Sequence, residues 1–559
     1  MLDIGIDVGG TFTDGVLVDG TKVLKSCKVP TLNNNLLASI GDTLDKLVHC
    51  ENRGGIARVV VSTTLMTNLI LEEKYEKTGL LLLPGPGISC QEYHFPFPFE
   101  TVRGAVDFQG RIVEETDPCE IVSGVTKLLT QDIKNLGIIC KFSPRNPALE
   151  LQVQEIVKKH FSDLKIALGH EVTGNLNFVR RAMSTGLFLA TGKLFRQFIF
   201  SLEELIREKS LQCPLYILKA DGGIIPIAHA DKFSVDTIFS GPAASALGAK
   251  ALFGLNSSAV VLDMGGTTTD LSLILDDRPL YASKGVKIAD NYTHIRSLAV
   301  HSIPLGGDTS IRINESRQPV ISFRRDGLPV CLGGEVPTIT DCMRVLELTD
   351  LGDKEPALHA LQEYGEKINK NTDCLAGEVL DQVLSIISAT IEKILHDWQE
   401  EPAYRIWQLM NKKELKPGTL ICLGGPAAVI GNLFKQKTGF KIRSNSLCTV
   451  ANAIGTALAL PTFAELVRFN THKGEISSSW GFFRQEAKIK GNKQSQEVIR
   501  QEAVSIFQKY LRDHDMISEP EVISHEVFNM VRNWDTTGQI HEVLLSIPSG
   551  IKSFVEHKE

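Results

Sequence analysis

The chain opens on strict alternation. In Leu2-Asp3-Ile4-Gly5-Ile6-Asp7-Val8 the larger apolar side chains fall on every second position, and two more alternating runs, GVLVDG and KVLKSCKV, follow on either side of the turn dipeptide Asp19-Gly20. This pattern predicts three strands joined by tight turns. The pattern returns later: SAVVL leads into Asp263, and LSLILDD follows Asp270. The run LICL at 420–423 reads as a further buried strand, and the leucine cluster 80–83 is stopped by Pro84 and Gly85. In 379–398, Val379, Val383, Ile386, Ile387, Ile394 and Trp398 recur at helical spacing; with 339–367 and 400–411 they predict a helical insertion. Two runs of small residues, SGPAASALG (240–248) and ANAIGTALA (451–459), predict helices able to approach another helix closely. FPFPFE (95–100) has alternating prolines, so it reads as an extended surface staple and not as a central strand.

Residues 463–559 differ in character. SSSW, GNKQSQE and ISEPEV read as loops, 496–511 as an amphipathic helix, and IHEVLLSIPSG as a terminal strand pair, giving a small α+β appendage.

Composition narrows the class. At about 150 residues per domain, 559 residues predict three or four units. With 43% apolar and 22% charged residues the chain reads as folded, and no apolar run approaches the ~18 residues of a membrane span. A net charge of −7 and 7% aromatics supply no basic stripe for nucleic acid. Asp3 and Asp7 stand where a signal peptide needs a basic start, and the eleven cysteines are scattered with no C-x-x-C. Both features lead us to expect a cytoplasmic protein with reduced thiols.

The chemistry concentrates in a repeated octapeptide. Residues 7–14 read DVGGTFTD and residues 263–270 read DMGGTTTD. In each copy a strand follows the glycines, where a Rossmann fingerprint or a P-loop would need a helix. The expectation is therefore a β-hairpin phosphate loop, used twice. The backbone N–H groups of Gly9, Gly10, Gly265 and Gly266, with Thr11, Thr13, Thr267 and Thr268, would cradle an anion. Asp7 and Asp263 close apolar strands, where an unpaired charge is costly; Mg²⁺ held through water would satisfy them. Asp14 and Asp270 are second-tier candidates that could simply lock the turns. The diglycine Gly424-Gly425 ends an apolar strand and suits a flat ring lying against backbone. His170-Glu171 lacks the spacing of a zinc protease, so His170 is expected to be a hydrogen-bonded structural histidine.

In chain order these features resemble the superfamily of sugar kinases, actin and heat-shock chaperones. That resemblance implies two ribonuclease-H-like lobes clasping ATP and Mg²⁺, with an adenosine motif at 424–426 and linking helices beginning near Gly241 and Asn452. The loop IPLGGDTSI resembles the chaperones' diglycine-acid loop and adds Gly306, Gly307 and Asp308. Within the superfamily, GIDVGGTFTD, STTLMTN (62–68, keeping Thr63, Thr64, Thr67 and Asn68), HEV (170–172), SGPAAS and DMGGTTTD resemble the hydantoinase/oxoprolinase family, A-type subunit, over about residues 1–460. The chain departs from that family at LKADGG (218–223), at Gly169 and at VRGAVD (102–107).

The resemblance implies an α/β fold of the actin-like ATPase type with mixed sheets. Its parts would be a first lobe over 1–250, a second over 251–450 with a helical insertion at about 339–412, a connecting helix at 451–462, and the appendage at 463–559. It implies an ATP-dependent hydrolase of a cyclic amide such as a hydantoin or 5-oxoproline, working with a larger B-type partner. Asp7, Asp263 and Asp308 would be the catalytic carboxylates, Asp308 as base. A small-molecule kinase of the same fold and a chaperone-like ATP switch are the alternatives.

Overall fold

The computed structural model describes the chain except residues 1, 33, 49–53, 255–257, 289, 401–416, 480–482, 486–494, 514–515, 517–518, 533–534 and 557–559. The predicted helix at 400–411 therefore lies outside the described residues from position 401 onward. The protein is a mixed α/β structure with several sheets.

Two of these sheets follow one plan. In the first, Leu2–Val8 pairs antiparallel with Phe12–Asp19, which pairs with Lys22–Pro30; on its other side it runs parallel to Ile56–Thr63, then Leu215–Leu218. In the second, Ala259–Met264 pairs antiparallel with Thr269–Leu275 and parallel to Thr419–Leu423, then Lys441–Arg443. The turn at Asp19-Gly20 is made by Gly20 at φ +58°, as the dipeptide demands.

The small-residue helices form as Ser240–Phe253 and Ala451–Leu458. They cross closely, with backbone against backbone at the glycines. A Cβ on Gly248 would fall 2.2 Å from Ala451 O, one on Gly455 2.2 Å from Ala244 O, and one on Gly5 2.2 Å from Ala453 O. A single apolar cluster joins this pair to both sheets, through Val16 and Val18 of the first and Val261, Ile274, Ile421 and Leu423 of the second. The glycines thus bring two helix backbones into contact in the layer between the sheets.

A parallel four-stranded sheet (order Lys165–Leu168, Asn135–Cys140, Thr78–Leu83, Phe99–Thr101) is inserted after the first sheet's fourth strand. FPFPFE departs from the surface-staple expectation. Phe97 is only 3% exposed, and its ring occupies the space where a Cβ on Gly186 would stand. The extended Pro-Phe repeat anchors this insertion to the long helix Phe178–Glu208.

The helical insertion consists of Ile339–Val345, Lys354–Ile368 and Thr372–Glu400. The expected helix over 339–367 is broken, with Glu347 (φ +57°) and Gly352 (φ +74°) turning the chain. Thr372–Glu400 is long and apolar enough by length and composition to cross a membrane. Its apolar face, from Leu375 to Ile391, is buried in the second sheet's core.

The C-terminal region is an antiparallel five-stranded sheet carrying the helix Gln496–Asp513. The strand pair is longer than expected: Glu521–Arg532 with Asp535–Ile547. Its first strand begins inside ISEPEV, which reads as a loop because Pro520 stands directly before it.

Candidate functional site

Each octapeptide caps a hairpin, and both hairpins turn alike. Gly9 N donates to Phe12 O (3.1 Å) and Gly265 N to Thr268 O (2.9 Å). These two N–H groups close the turns, which corrects the expectation that they cradle an anion. The N–H groups of Gly10, Thr11, Gly266 and Thr267 stay at the tips with no backbone acceptor among the described residues. Thr13 is corrected too. It is fully buried with its hydroxyl 2.9 Å from Thr31 Oγ1, so it braces the hairpin from behind; Thr268 is exposed at the second tip.

Asp7 lies directly opposite Asp14 across the first hairpin, and Asp263 directly opposite Asp270 across the second. Opposed residues share a face, so each hairpin carries two neighbouring carboxylates. The two hairpins meet at Asn452, the second residue of the helix Ala451–Leu458. Its Nδ2 donates to Asp263 Oδ2 (3.0 Å), and it also hydrogen-bonds Asp7. Ser245 of the other small-residue helix donates to the same Asp263 oxygen at 2.5 Å, and Ser62 hydrogen-bonds Asp7.

Among the described residues no cation pairs with Asp7, Asp263 or Asp270, whereas Asp14 pairs with Lys28. Burial pushes Asp7 up to about 7; the Ser62 hydrogen bond opposes the shift, and the Asp14 and Asp263 charges add to it. Burial likewise pushes Asp270 up to about 7, against a hydrogen bond from Ser302. Asp14 is raised by burial even though Lys28 Nζ sits 2.6 Å from its Oδ1. Lys28 also lies over the exposed Phe12 ring, 5.3 Å from its centre.

Gly306, Gly307 and Asp308 pack against the second hairpin. Gly307 N donates to Gly265 O (3.0 Å), Asp308 N to Gly266 O (2.7 Å) and Gly306 N to Thr309 Oγ1 (2.8 Å). The two glycine N–H groups are thus engaged within the protein, so Gly306 and Gly307 brace the hairpin and do not offer donors to a ligand. A Cβ on Gly306 would stand 2.3 Å from Gly266 O, which is why glycine is required there. Asp308 is 7% exposed and carries Arg325 Nη2 at 3.0 Å from its Oδ2. Burial raises the Asp308 carboxyl above the usual carboxylate range; the charge and hydrogen bond of Arg325 oppose the rise and the Asp341 charge adds to it.

Gly424 (φ +86°) lies against the second hairpin; a Cβ on it would fall 2.3 Å from Met264 O and 3.0 Å from Asp263 Oδ1. Nothing stands within 4 Å of a Cβ built on Gly425, so that backbone borders open space. Thr64 N donates to Val8 O (3.3 Å) and Thr67 Oγ1 accepts from Phe239 N (3.0 Å), which seats the threonine-rich segment behind the first hairpin. His170 belongs to a separate buried network, with Nδ1 2.5 Å from Glu150 Oε2, as expected of a structural histidine.

No group of three or more His, Cys, Asp or Glu side chains among the described residues is placed to hold a metal directly. Asp7 and Asp263, two hard oxygen donors with no cation paired to them among the described residues, fit a Mg²⁺ bound through water.

Sequence reasoning did not find Ser62, Ser245, Asn452 or Arg325. Asn452 carried the best signal, as the one amide in an otherwise small and apolar helix.

Residues 190–465 match the family model described as Hydantoinase/oxoprolinase, and residues 3–161 its N-terminal region. The chain is 24% identical over 373 residues to caprolactamase subunit alpha of Pseudomonas jessenii, covering 60% of this chain and 53% of that one. It superposes on a nucleotide-free structure of acetone carboxylase with a TM-score of 0.73 (16% identity, 100% of this chain and 90% of that one). For ATP-dependent caprolactamase from Pseudomonas jessenii the TM-score is 0.68 (18% identity, 99% and 89%). The chain spans 53% to 65% of the length of the curated relatives it first matches.

Proposed function

The chain belongs to the hydantoinase/oxoprolinase family, and from that premise we propose that it is an ATP-dependent subunit that activates a cyclic amide for ring opening. We read the two similar sheets as the ribonuclease-H-like lobes of an actin-like ATPase, with the nucleotide between them. The single observation carrying this is the meeting of the twin hairpins at Asn452, with two carboxylates and four backbone N–H groups at their tips.

Gly10, Thr11, Gly266 and Thr267 would donate to the phosphates, and Gly424-Gly425 would seat the adenosine. Asp7 and Asp263 would hold Mg²⁺ through water, the cation neutralising triphosphate charge when bound. The chain's own part in the transfer is positioning and charge compensation. The amide carbonyl oxygen attacks the γ-phosphorus, the bond from that phosphorus to the bridging oxygen breaks, and ADP leaves. Water then adds to the activated carbon, the ring C–N bond breaks as the nitrogen takes up a proton and leaves an acyl phosphate, and a second water cleaves that acyl phosphate to the carboxylate and free phosphate. Asn452 and Ser245 orient Asp263, and Ser62 orients Asp7, so both carboxylates are set before the nucleotide arrives.

A relative named as a subunit supports a partner chain, which we take to be of the B type. The ten described cysteines are all free, in keeping with a reducing cytoplasm. One assay tests the reading: ATP consumption and product mass with 5-oxoproline, hydantoins and sugars, with and without a B-type subunit. Free phosphate with an opened ring supports it. A stable phosphorylated product would make the protein a kinase, and slow hydrolysis insensitive to every small molecule would make it an ATP switch.

A further inference from the structure

Among the described residues, Arg325 is the one cation paired with an acidic side chain of the loop that braces the second hairpin, and neither the family match nor the motifs give it a role. Resting on the nucleotide reading above, we propose that Arg325 is a catalytic residue that contacts the γ-phosphoryl group, with Asp308 as the residue that positions it. Two sets of bonds carry this.

First, Asp308 is fixed against the phosphate hairpin. Its N–H donates to Gly266 O (2.7 Å), and its Oδ2 lies 2.8 Å from where a Cβ on Gly266 would be. The carboxylate therefore sits directly over a glycine whose N–H is left at the tip. Arg325 Nη2, 3.0 Å from that same oxygen, is carried to the edge of the tip, and a third of its side chain remains open to solvent.

Second, the segment bearing Arg325 is tied to the segment bearing Asp308. Ser310 N donates to Arg324 O (2.9 Å), Ser322 N to Ser310 O (3.0 Å) and Asp326 N to Ser310 Oγ (3.2 Å), while Arg312 Nη2 pairs with Asp326 Oδ2 at 2.8 Å. This backbone clamp aims the guanidinium with little freedom lost on binding. A planar fork held by one oxygen keeps N–H groups for a second, stronger anion. Charge on the transferring phosphoryl oxygens is what such a group stabilises, and an arginine in this role is worth roughly 10³–10⁵-fold in turnover elsewhere. The reading also explains an acidic residue beside a phosphate site: Asp308 holds the arginine in place when no nucleotide is bound.

The test compares wild type with Arg325→Ala, Arg325→Lys and Asp308→Asn, measuring ATP and ADP affinity by calorimetry and ATP turnover with substrate and any required partner. Arg325→Ala is expected to lower kcat by more than about 10²-fold and to erase most of the preference for ATP over ADP, leaving ADP affinity within a few-fold of wild type. Arg325→Lys should recover part of both, and free guanidinium should partly rescue the alanine variant. Asp308→Asn should weaken the ATP preference less than Arg325→Ala does. Turnover and ATP:ADP ratio within threefold of wild type in Arg325→Ala would overturn the proposal while leaving the nucleotide reading intact. A wild-type protein that binds neither nucleotide would overturn the nucleotide reading, and this proposal with it.

Discussion

Asp7→Asn tests the electrostatic account of the site, because it should stabilise the empty protein while destroying its activity. With Asp7 raised from 3.8 to about 7 by burial and by neighbouring carboxylates, the folded state holds its proton more tightly than the unfolded chain. The group's stabilising contribution is thus fully present below pH 4 and is lost as pH rises through 7. By pH 8 the ionised carboxylate opposes folding by about 4 kcal/mol. Asparagine removes that opposition but turns an amide toward Asn452, losing a hydrogen bond worth about 1–2 kcal/mol. The net effect of the variant is a gain of about 2–3 kcal/mol at pH 8, fading to a loss of about 1 kcal/mol at pH 4, with the sign changing between about pH 4.5 and 5.3. Urea unfolding of both proteins without nucleotide or divalent metal, read across this pH range, gives the curve directly. ATP turnover and thermal protection by Mg-ATP should both collapse, turnover by more than about 10²-fold. If the variant is less stable than wild type at pH 8, or keeps its protection by Mg-ATP, the account of Asp7 fails.

Three further outcomes follow from the same structure. Gly248→Ala places a methyl group 2.2 Å from Ala451 O and should cost about 1–3 kcal/mol or more in chemical unfolding, since the contact is backbone and cannot yield as a side chain would. Glu465 is buried and pushed up to about 8, with Ser479 N and Oγ donating to its carboxyl group; Glu465→Gln should change stability by less than about 1 kcal/mol near pH 4, where the carboxyl is protonated in both the folded and the unfolded state, and stabilise increasingly as pH rises to 9. Lys28→Met removes the cation 2.6 Å from Asp14 and should raise the pKa of Asp14 further, seen by carboxyl NMR as a titration displaced upward from wild type.

Much of the site was legible because the hairpin turn is a local event. Alternation on both sides of two glycines fixes where the strands end, so Asp7 and Asp263 could be placed from sequence. The helices Ser240–Phe253 and Ala451–Leu458 were legible for a related reason, since runs of glycine and alanine have few uses other than close approach. What was not legible depends on contacts between distant segments. Nothing near Ser245 or Asn452 says that both donate to Asp263 Oδ2, and Arg325 reads as a surface cation until Ser310 is seen to clamp its segment. The N–H groups of Gly9 and Gly265 were assigned to a ligand because sequence cannot show that the turn itself uses them. Phe97 looked superficial because its prolines dominate the pattern, and the space that receives it is made by Gly186, far along the chain.

The glycine contacts at the helix crossing bear on how variation in this protein should be interpreted. Gly5, Gly248 and Gly455 come from three separate segments, and each has a backbone atom where even a methyl group would go. In a saturation scan scored by growth or activity, these positions should reject nearly every replacement, as catalytic positions do. None of them carries a functional group, so a map of intolerance alone would draw the active centre too large. Measuring abundance beside activity separates the two kinds of position: the glycines lose protein, whereas Asp7 keeps its protein and loses its chemistry.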